Sequence, residues 1–274
     1  MSIRLTLSVG PITDWKQGLY FERELDASHP HVQKGTPMHG KNQFPPEDDF
    51  PEFKETVLDY MRCMTQLGHM LMSAMAVSLG LDKDYFKPYT TDPFTPFRIF
   101  HYPADPVGVH ADDGQPRFGV QEHTDYGVLT ILAVDDSGLE VKVKDTGAWI
   151  GVPLVPETFI VNVGDMAELW TNGEFRATPH RVRNTTQRDR ISLPFFFDPS
   201  WDAIIQPVAR STEPHPDAIV DTALPAIVAR TPEACQAAVD AYRAGSEQPC
   251  IQYGPYILSK VLRVFPQLAE SSTG

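Results

Sequence analysis

The chain opens on alternation. In MSIRLTLSVG, the apolar Ile3, Leu5, Leu7 and Val9 enclose Arg4, Thr6 and Ser8, the period of a half-buried strand. Residues 11–51 lose this rhythm. The run HPHVQKGTPMHGKNQFPPEDDFP holds five prolines and reads as loop. From Pro51 or Glu52 to about Leu79 the spacing turns helical, with Phe53, Val57, Tyr60, Met64, Leu67, Leu71, Ala74 and Leu79 on one stripe. Proline suits the start of that helix, and Gly80 its stop. The methionines along it (Met61, Met64, Met70, Met72, Met75) read as core filler.

Between about Phe97 and Phe197 the texture becomes short apolar or alternating runs: FRIFHY, VLTILAV, LEVKV, TFIVNV, AELW, HRVRN and ISLPFFF. Gly, Asp, Asn and Pro turns separate them, which predicts a sandwich, barrel or jelly roll. Farther on, TPEACQAAVDAYRAG predicts a helix with Thr231 as N-cap, and a last helix covers Tyr253 to Phe265. The fold class is mainly β with flanking helices. It forms one domain over 1–274, with the strand-rich core at about 90–200 and helical flanks at 52–80 and 203–266.

Composition narrows the function. The 274 residues carry 23 Lys and Arg against 36 Asp and Glu, a net charge of −13. Such a surface argues against nucleic acid and against an anionic membrane as partner. Three cysteines (Cys63, Cys235, Cys250) form no CxxC pair and fit a reducing compartment. The start lacks a secretory pattern, and the longest apolar stretch, Leu67–Leu81, is broken by His69, Ser73, Ser78 and Gly80. The expectation is a cytoplasmic protein. Composition leaves its oligomeric state open.

Two stretches carry candidate metal chemistry. In QEHTDYGVLTIL, His123 and Asp125 stand two apart at the start of a strand, where such side chains share a face. His180 in TPHRVRN lies on a later strand that a jelly roll can bring alongside. Two imidazoles and one carboxylate make a facial triad suited to non-haem Fe(II) with three positions open. Zinc accepts the same ligands. In DRISLPFFF, Arg190 and Ser192 again stand two apart, ten positions after His180, a spacing that allows the adjacent antiparallel strand. A guanidinium beside a hydroxyl can clamp a carboxylate. The competing reading is a surface arginine paired with Asp189.

The segments HTDYGVLTIL, NVGDMAELWTNGEFRATPHRVRN and RISLPFFFDP together resemble the isopenicillin N synthase-like branch of the Fe(II)/2-oxoglutarate-dependent oxygenases. The resemblance is close over about 90–200 and looser through WKQGLYFERE and YGPYILSKVLRVFP. It implies a double-stranded β-helix, a jelly roll with helices packed outside. It implies Fe(II) held by His123, Asp125 and His180, and the distal carboxylate of 2-oxoglutarate held by Arg190 and Ser192. Tyr102 of FRIFHYP would add a phenol bond to that carboxylate, while Phe100 stands where the family commonly has asparagine. The implied activity is oxidation of a small-molecule C–H bond by hydroxylation, desaturation or ring formation. 2-Oxoglutarate and O2 are co-substrates, succinate and CO2 are released, and ascorbate is stimulatory. Phe94, Phe195 and Phe197 are the expected substrate contacts. Two departures from the family are visible. A shorter stretch precedes WKQGLYF, which predicts a shortened form of weakened stability or activity; the alternative is a non-catalytic jelly-roll binding protein. Residues 208–250 make a longer link, expected to cap the site or to meet another subunit.

Overall fold

Residues 14–104, 118–183, 188–208, 228–245 and 248–264 are described by the computed structural model of the chain. The strand expected at residues 3–9 lies outside them, as does much of the 208–250 link. In chain order the elements are β1 (Gln17–Phe21), α1 (Pro30–Gln33), α2 (Phe53–Ser78), β2 (Pro93–Phe94), β3 (Phe97–Tyr102), β4 (Val120–His123) and β5 (Leu129–Val134). Then follow β6 (Leu139–Lys142), β7 (Trp149–Gly151), β8 (Ile160–Val163), α3 (Asp165–Trp170), β9 (His180–Val182) and β10 (Arg190–Ser200). The chain continues with β11 (Ile204–Ile205), α4 (Pro232–Arg243), β12 (Ile251–Gln252) and α5 (Tyr253–Val264).

Strands β3 to β10 are shared between two sheets. One runs in the order β1-β3-β10-β5-β8, with β2 paired to the far end of β10; the other runs β4-β9-β6-β7. All these pairings are antiparallel. Removing β1 and β2 leaves two four-stranded sheets, the double-stranded β-helix.

Strand alternation gives the larger sheet two different faces. Its outer face presents Phe97, Leu129, Ile131, Phe195 and Phe197, all buried. Helix α2 covers that face with Val57, Met61, Met64, Met72 and Met75; Met70 of the same stripe points to solvent. Gly68 lets the helix come down on Phe197, since a Cβ there would sit 2.3 Å from the ring. A second apolar cluster (Tyr102, Leu132, Leu139, Val182) fills one part of the space between the sheets.

Helix α4 begins as expected: Pro232 follows the N-cap Thr231, whose hydroxyl accepts a hydrogen bond from the amide of Ala234 at 3.2 Å. Four local expectations need correction. The region 11–51 is not all loop, because Gln17–Phe21 pairs with β3. AELW is helical: the turn at Gly164 launches α3, whose Met166, Ala167, Leu169 and Trp170 are all buried, so an apolar run imitated a strand. Strand β4 ends at His123, and Asp125 lies beyond it in the turn. Finally, His180 and Arg190 are not on neighbouring strands; β9 pairs with β4 and β6, and β10 with β2, β3 and β5. Among the described residues no helix is long and apolar enough to cross a membrane.

The seating of α2 on Phe197 is testable. Phe197→Ala should lower unfolding stability by about 3–5 kcal/mol, read as a shift of the denaturation midpoint. A loss below ~1 kcal/mol would show that the ring does not carry this contact.

Candidate metal centre

Cross-strand pairing assembles the centre. His123, the last residue of β4, stands directly opposite His180, the first of β9. Their rings lie 4.3 Å apart between centroids. Asp125 returns from the turn so that its Oδ1 is 3.7 Å from Nε2 of each histidine. One donor atom from each of the three residues lies within 4.8 Å of the other two. The three residues singled out in the sequence thus converge, although Asp125 arrives by a turn and not along a shared strand.

The partners of these groups fix which atoms face inward. Nδ1 of His123 lies 2.8 Å from the carbonyl of Gln121, and Nδ1 of His180 lies 3.0 Å from that of Thr178. A carbonyl only accepts, so each Nδ1 carries the proton and each Nε2 keeps a lone pair. Burial, helped by the second imidazole, lowers the pKa of His123 and favours its neutral form. On Asp125, Oδ2 accepts from the hydroxyl of Thr130 at 2.5 Å and from the amide of Asn162 at 2.7 Å. Oδ1 is left to face the imidazoles. Two neutral nitrogens and one oriented carboxylate oxygen fit a divalent iron ion.

The turn carrying Asp125 is clamped from behind. The amide of Asp165 donates to the carbonyl of Asp125 at 2.8 Å, and that of Met166 to the carbonyl of Gly127 at 3.1 Å. Gly164 allows this approach, because a Cβ there would lie 2.5 Å from the oxygen of Gly127 and 2.7 Å from that of Asp125. From the other side, the hydroxyl of Tyr256 on α5 donates to the carbonyl of Tyr126 at 3.1 Å.

A cavity of about 550 Å³ opens between the sheets and reaches the triad. Arg190, Ser192 and Tyr102 line it, and Arg190 pairs with Tyr102 across β10 and β3. The serine hydroxyl lies 3.4 Å from the tyrosine hydroxyl. Arg190 is 1 % exposed. Its Nε donates to the carbonyl of Asp136 at 3.2 Å, and its Cζ lies 5.0 Å from the centre of the Tyr102 ring. Nη1 and Nη2 are buried with no hydrogen-bond partner. Burial lowers the pKa of this guanidinium and raises that of Tyr102. Two orphaned donors on a buried cation are costly in isolation and suit an anionic ligand. Phe100 lines the same cavity without offering a donor, and Asp189 pairs with His101, not with Arg190.

Of the three expected substrate contacts, Phe94 lines the cavity and Phe195 and Phe197 do not. The phase that turns Arg190 and Ser192 inward also turns Pro194, Phe196 and Asp198 inward, and sends Phe195 and Phe197 to the face under α2. Phe196 is the pocket aromatic on β10. Thr130, Asn162 and Asp198 were missed as well. Asn162 stood in plain view in NVGDM, but only the fold shows its amide reaching Asp125.

The 2OG-Fe(II) oxygenase superfamily model matches residues 94–199. A probable iron/ascorbate oxidoreductase of Dictyostelium discoideum is 46% identical over 209 residues, which cover 70% of this chain and 57% of that protein. A 1-aminocyclopropane-1-carboxylate oxidase of the same organism is 32% identical over 95% of this chain and 73% of its own length. Among solved structures, a full-length Neurospora crassa protein in complex with alpha-KG and thymine is 29% identical with a TM-score of 0.64, covering 72% of this chain and 58% of that one. The chain therefore spans less than two thirds of the length of the first and third of these proteins.

Asn162→Ala should weaken Fe(II) binding by about 10–100-fold, since it frees the carboxylate that the amide orients. Calorimetric titration of the metal-free protein under nitrogen measures this. An unchanged affinity would remove Asn162 from the support of the centre.

Proposed function

The chain belongs to the 2OG-Fe(II) oxygenase superfamily, and on that premise we propose that it oxidises a C–H bond of a small molecule at an Fe(II) centre, with 2-oxoglutarate and O2 as co-substrates. The observation that carries the proposal is the pair of unbonded nitrogens on buried Arg190, in the same cavity as the three converging ligand atoms. When bound, Fe(II) with 2-oxoglutarate would supply the oxidising power: one oxygen atom of O2 enters succinate as CO2 leaves, and the other enters the substrate in hydroxylation or leaves as water in desaturation or ring formation.

The protein's own residues supply geometry. His123 and His180 keep their protons on Nδ1 and offer Nε2. Thr130 and Asn162 hold one oxygen of Asp125 so that it presents the other. Three protein ligands leave positions for a chelating keto acid and for oxygen. Arg190 would receive the distal carboxylate through charge-assisted bonds, with Ser192 and Tyr102 beside it. Leu132, Leu139 and Val182 close that part of the cavity with apolar surface, which limits water and strengthens each polar contact. Phe94 and Phe196 offer flat apolar surface to a substrate body. The three free cysteines fit the reducing cytoplasm.

The test needs no prime substrate. Protein with Fe(II), ascorbate, oxygen and 2-oxoglutarate should form succinate slowly, and His180→Ala should abolish it. Absence of succinate from the unsubstituted protein across a range of iron concentrations would overturn the reading. Arg190→Gln should raise the 2-oxoglutarate concentration needed for half-maximal succinate formation at least tenfold, since bonds to charged groups contribute about 1.5–3 kcal/mol. An unchanged requirement would show that Arg190 does not hold the keto acid.

A further inference from the structure

We infer that Arg98 is the anchor for a carboxylate on the prime substrate, so that the enzyme acts on small carboxylic acids with an apolar or aromatic body. The inference rests on the oxygenase reading above and deepens it.

It follows from the charges that line the cavity. Lys16 is paired with Asp14 at 3.0 Å, and Glu122 with Lys142 at 2.7 Å. Asp125 is committed to the metal centre and Arg190 to the keto acid. Asp198 accepts from the amide of Val128 at 2.6 Å, and burial pushes its pKa up to about 7. Arg98 remains. It enters no ion pair among the described residues. Nη1 donates to the carbonyls of Phe21 at 3.1 Å and Phe97 at 3.0 Å, and Cζ lies 4.6 Å from the centre of the Tyr20 ring. These contacts hold the guanidinium against the sheet without neutralising it. The acid near it, Glu22, accepts from the amides of Arg23 at 3.1 Å and Thr95 at 2.8 Å, and burial pushes its pKa up to about 7.

Position separates this cation from the first. Arg98 and Tyr102 share the inward face of β3, four residues apart, and Tyr102 pairs with Arg190. At ~3.4 Å per residue the two anchors stand roughly 14 Å apart along the sheet. A five-carbon diacid held at Arg190 does not span that distance, so Arg98 serves a second molecule. The apolar surface available to it comes from Met38, Phe94 and Phe196, with Ile257 and Val261 of α5 opposite. Phe196 pairs with Thr130, whose hydroxyl holds Asp125, so this surface lies level with the metal ligands.

The experiment compares each acid with its own primary amide. Phenylacetate, indole-3-acetate and hexanoate, and the three amides, are titrated calorimetrically into protein loaded with Fe(II) and 2-oxoglutarate under nitrogen. In at least one pair the acid should bind at least tenfold more tightly. Arg98→Gln should reduce that preference below threefold while keeping the amide's affinity. No preference for the acid in any pair overturns the assignment, and so does equal loss of acid and amide in the variant, which would mark a structural role. If the melt of Arg98→Gln shows poor folding, Arg98→Lys is read instead. Acid binding weakened at least threefold with the amide unchanged supports the anchor, and unchanged acid binding overturns it. Succinate formation from 2-oxoglutarate alone is measured in parallel. If it is present while the acids fail, only this inference falls; if it is absent, the oxygenase reading falls too.

Discussion

The site depends on one carboxylate having its two oxygens assigned to different tasks. Thr130 and Asn162 hold Oδ2 of Asp125, and Oδ1 is thereby aimed at the paired imidazoles of His123 and His180. Without these two donors the side chain could rotate about its terminal torsion, which is soft. The histidines are fixed differently, by strand register and by backbone carbonyls at Nδ1. Each ligand is thus oriented by a bond on the side away from its ligating atom. The donors come from β5 and β8 of the larger sheet, while the histidines come from the smaller one. Ligand geometry therefore requires the two sheets to be in their correct relation.

Strand β10 shows how the fold keeps chemistry and packing apart. Its alternate residues Arg190, Ser192, Pro194, Phe196 and Asp198 face the cavity, while Phe195 and Phe197 support α2. Ser192 pairs with Val134 of β5 and Phe100 of β3, so the middle of the strand is flanked on both sides. A buried guanidinium is tolerable there because the strand carrying it cannot slip by one residue. Such a slip would place the arginine under the helix and the phenylalanines in the cavity.

Much of this was legible in the sequence. HTD, the histidine of TPHRV and the RIS triplet pointed to residues that the fold brings to one cavity; each pattern is weak alone, and their combination singled them out. Long periodic segments such as residues 53–78 were also plain, since 26 residues of one spacing leave little ambiguity. What escaped was anything set by contact between segments. AELW is only four residues long, too short for its spacing to separate a helix from a strand. Asn162 and Thr130 acquire meaning only when β5 and β8 pair beside the Asp125 turn. Phe196, and not the expected Phe195 and Phe197, faces the cavity, and the parity of Arg190 and Ser192 along the strand already fixes this.

The crowding behind the Asp125 turn has its own consequence. At Gly127 an added Cβ would strike the carboxylate of Asp198 at 2.1 Å, and at Gly164 it would strike the backbone of the turn itself. A side chain at Gly164 would press on the backbone of Asp125, and one at Gly127 would displace the carboxylate of Asp198 behind it. The walls formed by Met38, Phe94, Ile257 and Val261 are free of that constraint, since these side chains line the cavity and none of them bonds the turn's backbone. New specificities could therefore be bred into this scaffold by remodelling the rim alone, with its inorganic chemistry inherited intact.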